Sequence, residues 1–121
     1  MDKFDFDLPQ VFTPAFDITK VPLEAESIAE DLVESARIYQ RSLNPDQEVG
    51  VMLASFGQTM TINITAIGYK GSKLIRFIGT LASNGTPAEL YQHVSQISFL
   101  LIALPKVNPE EPKRAIGFLQ D

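Results

Sequence analysis

The sequence predicts an α+β domain in which an amphipathic helix precedes an antiparallel sheet of about five strands. Three observations carry this. Apolar residues recur at three- and four-residue steps from Ile28 to Leu43, then at every second residue from Val49 to Ala66. Turn-forming residues punctuate the second regime at Gly57-Gln58, Lys70-Gly71-Ser72-Lys73 and Asn84-Gly85. The length of 121 residues, 45% of them apolar, fits one globular domain and not two. Residues 1–21 read as an extended arm and residues 22–121 as the single domain.

The arm holds four of the eight phenylalanines, Phe4, Phe6, Phe12 and Phe16, interleaved with Asp and interrupted by Pro9 and Pro14. Neither helical nor strand periodicity fits, and the prolines oppose both. Four phenylalanines are costly to leave in water, so the arm is expected to dock on a protein partner, a neighbouring copy or its own core.

The helix follows from Ile28, Leu32, Ala36, Tyr39 and Leu43, with Ala25, Ala29 and Val33 widening the stripe. Pro22 suits a first helical position, and Ser27 with Glu30 suits a capping box at a later start. Acidic residues crowd its first half and Arg37 and Arg41 its last turns, matching the helix dipole. Asn44-Pro45 ends it. Strand one, around Val49, Val51 and Leu53, reads as covered on both faces. Strand two alternates Met60, Ile62, Ile64 and Ala66 with threonine and asparagine, a half-buried pattern. Asn63-Ile64-Thr65 matches a glycosylation sequon, discounted because it lies within a strand. Strand three spans Leu74 to Ala82.

Residues 86–104 admit two readings. Thr86-Pro87-Ala88-Glu89 resembles a capping box, and Leu90, Val94, Ile97, Leu101 and Leu104 would share one face of a second helix. Alternatively, Asn84-Gly85 folds Ala88 to Val94 back onto strand three as a hairpin. Residues 94–97 then bend, and Ser98 to Leu104 forms a fully buried fifth strand. After a proline-rich loop over residues 105–113, Arg114 to Leu119 is a candidate last strand.

Composition excludes several chemistries. No cysteine is present, which removes disulfides, thiolate metal sites and cysteine nucleophiles, and a single histidine cannot build a multi-histidine metal centre. No cofactor is expected. Residues 1–48 carry eleven acids against four bases, residues 49–121 four against six, for a net −5 overall. That balance opposes broad nucleic-acid affinity and leaves room only for a local basic site. The acidic start lacks the features of a signal peptide, and no stretch suits a membrane span, so a cytoplasmic location is expected.

The stretch Ile67-Gly68-Tyr69, then Gly79, Glu89-Leu90-Tyr91-Gln92-His93-Val94-Ser95-Gln96, Leu100-Leu101 and Ile116-Gly117-Phe118 resembles an uncharacterised bacterial family of unknown function. The resemblance covers the second two-thirds of the chain and brings no activity with it. More loosely, the element order is similar to Sm-like (Sm/SH3-type) small β-barrels, in which an N-terminal helix precedes five strongly bent antiparallel strands. Tyr91-Gln92-His93 looks like the Tyr-Lys-His of the bacterial Sm-type RNA chaperones, with Gln92 standing where they carry lysine. This resemblance implies strands over residues 86–104 and RNA contact near Tyr91 and His93.

His93, with Glu89 four residues away, is the only acid–base candidate near neutrality, and no nucleophile or phosphate-cradling loop accompanies it. An enzyme is therefore not expected. Aromatic residues beside basic ones, Tyr69, Lys70, Lys73, Arg76 and Tyr91, together with His93, form the candidate contact for a single-stranded nucleic acid or other ligand. The leading expectation is a homo-oligomeric binding or scaffold module. Leu90 to Pro105 carries no formal charge, so a sheet edge there is unguarded against pairing.

Overall fold

The computed structural model describes residues 24–55 and 57–120. Helix α1 (Glu24–Arg41) leads into β1 (Gln47–Ser55), β2 (Gln58–Lys70), β3 (Leu74–Leu81) and β4 (Pro87–His93). A 3-10 turn (Val94–Gln96), β5 (Leu100–Pro105) and β6 (Gly117–Leu119) complete the chain. The arm with Phe4, Phe6, Phe12 and Phe16 lies outside the described residues.

Ala25, Ala29, Val33, Ala36 and Gln40 form the buried line of α1, and Ile28, Leu32 and Tyr39 flank it half-buried. Small residues at the centre of the stripe let the helix approach the sheet closely, while the larger ones seal the margins. Lys113 Nζ donates to the carbonyls of Gln40 (3.0 Å) and Leu43 (2.8 Å) at the helix end, satisfying acceptors that have no partner within the helix.

The strand order is β4-β3-β2-β1-β5, every neighbour antiparallel. β6 adds a sixth strand, parallel to β2, at Ala66↔Gly117 to Gly68↔Leu119. β2 is long enough to serve both partners: residues 58–63 pair with β1 and residues 66–68 with β6. The candidate strand from Arg114 to Leu119 is thus real but shorter, and the sheet has six strands where about five were expected.

The uninterrupted alternation expected for β2 ends at a bulge. The register against β3 shifts between Ile64 and Ala66, and an extra residue reverses the phase of a strand. Ile62 and Ile64 face the core before the shift, Ile67 and Tyr69 after it. Opposite this bend, a Cβ on Gly79 would collide with the backbone carbonyl of Asn63, so only glycine lets the two strands meet there.

Residues 86–104 are strands, and the second helix is absent. Gly85 has φ +76°, a conformation open to glycine. Leu81 N–H donates to the Thr86 carbonyl at 2.8 Å and Thr86 N–H to Asn84 Oδ1 at 3.0 Å. The hairpin then carries β4 along the whole length of β3, from Thr80↔Pro87 to Leu74↔His93. Those cross-strand contacts override the local capping signal at Thr86-Pro87. β5 departs from expectation: it is an edge strand, not a fully buried one, and Leu100 is 53% exposed.

The sheet is strongly curled. Gln92 on β4 donates from Nε2 to the Ala54 carbonyl on β1 at 3.1 Å, although β3 and β2 lie between them. Three strand spacings would separate these strands by about 14 Å in a flat sheet. No backbone pairing joins β4 to β5 among the described residues, so the sheet does not close into a barrel. Its concave face and α1 enclose Val49, Val51, Leu53, Ile62, Ile64, Ile67, Ile75 and Phe77, all fully buried. Each such side chain contributes about 1.5–3 kcal/mol by leaving water.

Candidate functional site

Strand alternation decides where the expected contact residues go. On β4, Glu89, Tyr91 and His93 take one face, and Leu90 and Gln92 the other, buried one. Tyr91 pairs with Arg76 on β3, so their side chains meet outside the core. Arg76 forks onto Glu89 Oε2 through Nε (3.0 Å) and Nη2 (2.5 Å), and its guanidinium lies 5.7 Å from the centre of the Tyr91 ring. Tyr91 donates its hydroxyl to the same carboxylate oxygen at 3.2 Å.

Hydrogen bonding from Arg76 holds the Glu89 carboxyl below the usual carboxylate range, with a smaller contribution from the Tyr91 hydroxyl. A lowered folded-state value means that the pair's contribution to stability is present above the ordinary glutamate range and fades as pH falls through the folded value. Solvent screens the exposed pair, so the effect on stability is slight. The titration itself is the readout: the Glu89 carboxyl carbon, followed by NMR, should titrate below pH 4.5, and Arg76→Gln should return it to the ordinary range.

Tyr69 is buried on the core face and stacks on Phe118 with ring centres 6.0 Å apart. Lys70 is exposed at the end of β2. Lys73 lies in the β2–β3 turn, its Nζ 2.7 Å from Glu24. His93 ends β4, and its Nδ1 accepts from the Ser95 N–H at 3.1 Å and contacts Ser95 Oγ at 2.9 Å. The structure therefore joins Arg76 to Tyr91, with Glu89 between them and Lys70 near enough to act electrostatically on Glu89, while Tyr69 faces the core. Glu24 and Glu89 compensate two of the cations that a phosphate would need.

A cleft of about 500 Å3 opens where the curled end of β4 meets the β1–β2 turn, lined by Ala54, Gly57, Gln58, Thr59, Tyr91, Gln92, His93 and Gln96. Gln92 is 6% exposed, and its Oε1 is buried with no hydrogen-bond partner. A group in that state costs about 1–3 kcal/mol. A second groove of about 610 Å3 is bordered by Met60, Leu81, Ile102 and Leu104, with Gln58, Thr59, Thr61, Ala82 and Ser83.

Sequence reasoning missed two polar features. Glu48, 4% exposed, accepts from Arg114 N–H at 2.6 Å and lies 3.6 Å from Arg114 Nη1. Gln40 ties α1 to β1 and to the segment before β6, accepting from Val49 N–H (2.9 Å) and donating to the Arg114 carbonyl (2.6 Å). The phase of β4 offered a signal for Gln92, because Ala88, Leu90 and Gln92 share the apolar side. Nothing local marked Glu48, whose partner lies 66 residues away.

Among the described residues, no group of three or more His, Asp or Glu is arranged to hold a metal ion, and no helix is long and apolar enough to cross a membrane. The model of a family of unknown function, DUF6173, matches residues 17–119. No curated protein and no solved structure matches the chain.

Proposed function

This chain belongs to the DUF6173 family of unknown function, and we propose that it is a non-enzymatic module that self-assembles through the edges of its sheet. The observation that carries this reading is that β4 and β5, at opposite ends of one strand order, each have no strand partner on their outer side among the described residues. Each presents backbone donors and acceptors on one side, and unpaired edges of this kind recruit further strands. Edge charges or prolines normally block such pairing. β5 has no charged residue, and its only proline is Pro105 at the end.

The side chains agree. Leu100, 53% exposed, belongs with Ile102 and Leu104 to the outward phase of β5, and the last two border the second groove. A second copy that adds its β4 to this β5 would extend the sheet and set its outward Tyr91 and His93 beside that phase. Because the two edges differ, the contact is head-to-tail and closes into a ring when the rotation per copy permits. A helix followed by five strands in one curled antiparallel run is the element order of Sm-like barrels, which supports that finer reading of the fold. Single-strand nucleic-acid binding has less support, since Tyr69 is buried and Lys73 and Arg76 are paired with carboxylates.

Leu100→Lys tests the proposal. An exposed lysine leaves the core untouched but places charge on the edge. The variant should elute and scatter light as a single chain where the unaltered protein does not. An unchanged mass would remove β5 from the interface.

A further inference from the structure

Asn84 and Gly85 carry chemistry beyond turning the chain. An asparagine side chain can close on the main chain when the next residue's backbone nitrogen attacks the carboxamide carbon, a reaction helped by having both groups in one short stretch of chain. The sequence has four asparagines, and their surroundings sort them. Asn44 and Asn108 precede Pro45 and Pro109, whose nitrogens carry no proton to lose. Asn63 is 8% exposed, its strand is paired to β1 on one side and β3 on the other, and the branched Ile64 crowds the nitrogen. Asn84 is exposed and is followed by glycine, whose missing Cβ leaves the nitrogen open to approach.

The turn also aims the reacting groups. Thr86 N–H donates to Asn84 Oδ1 at 3.0 Å, which curls the carboxamide forward along the chain past the Gly85 peptide. The same hydrogen bond polarises the carboxamide and makes its carbon a better electrophile. One contact holds the reaction back: Gly85 N–H donates to the Leu81 carbonyl at 2.8 Å, so the ring closes only when that bond opens.

We propose that Asn84 is a self-modification site, converted with water as co-reactant to aspartate and isoaspartate at the tip of the β3–β4 hairpin. The Gly85 nitrogen loses its proton to hydroxide and bonds to Asn84 Cγ. The Cγ–Nδ2 bond breaks, ammonia leaves, and a succinimide joins the two residues. Water then adds to one of the two ring carbonyls, and nothing is oxidised or reduced. Breaking the bond from nitrogen to Cγ yields aspartate; breaking the bond to the main-chain carbonyl carbon yields isoaspartate. Either product adds a negative charge. Isoaspartate also lengthens the main chain by a methylene between Leu81 and Thr86, whose N–H and carbonyl close the hairpin at 2.8 Å.

The test incubates the full folded chain for days at mildly alkaline pH and body temperature, then maps its peptides by mass spectrometry. The mass gain of exchanging NH2 for OH should appear in the peptide holding Asn84 and not in those holding Asn44, Asn63 or Asn108. Isoaspartyl methyltransferase should label that same peptide, and the intact chain should gain an acidic form on ion exchange. Asn84→Gln, whose ring would need a sixth member, should lose the acidic form over the same period. The proposal is overturned by an unaltered Asn84 peptide, by equal conversion at another asparagine, or by an acidic form that persists in Asn84→Gln. Should that variant not fold, the peptide map of the unaltered chain still decides the matter.

Discussion

Phe77→Ala should lower the free energy of unfolding by about 3–5 kcal/mol, the range for truncating a fully buried phenylalanine. Phe77 is fully buried in β3, and Phe99 stacks against it with ring centres 5.8 Å apart. Its strand is central: β2 pairs along one side and β4 along the other. The loss therefore combines transfer of the ring to water with a cavity that neighbours on three strands cannot all move to fill. Domains of this size are stable by about 5–15 kcal/mol, so the variant should unfold at a much lower urea concentration or fail to fold. A loss below about 1 kcal/mol would mean that the core is not packed around this ring.

The second large effect lies at Glu48. Glu48→Leu should cost about 3 kcal/mol, the lower end for breaking a buried ion pair, because Arg114 keeps 23% of its side chain exposed and water recovers part of the loss. The carboxylate does more than pair a charge. It accepts from the backbone N–H groups of Arg114 (2.6 Å) and Val107 (3.4 Å), fastening both ends of the irregular segment between β5 and β6. The double variant Glu48→Leu, Arg114→Met removes the stranded cation and should be less destabilised than Glu48→Leu alone. Urea unfolding of the single variants Glu48→Leu and Arg114→Met and of the double variant measures that difference. A double variant as unstable as the sum of its parts would show that the charges are not coupled.

What could be read from the sequence divides along local and non-local lines. α1 and the first three strands were legible because periodicity and turn residues act over a few positions, and Asn84-Gly85 correctly folded β4 onto β3. The edge position of β5 was not legible. Leu100-Leu101-Ile102-Ala103-Leu104 is apolar throughout and reads as interior, whereas its place in the strand order, set by pairing with β1 about 50 residues earlier, leaves one side open. The reversal of phase in β2 was hidden for a similar reason, since Thr65 looks like one more alternating residue until β3 fixes the register. At the candidate site, type and phase placed Tyr91 beside Arg76 but also sent Tyr69 inward, past the bulge. Gln92, read first as a missing lysine, owes its position to the curl that brings Ala54 within reach.

The mass of the purified full chain in solution decides whether β4 and β5 join copies as proposed. Light scattering across a range of concentrations should give a multiple of the 13.4 kDa chain mass, two copies or more. A mass of one chain at every concentration would overturn self-assembly through these edges.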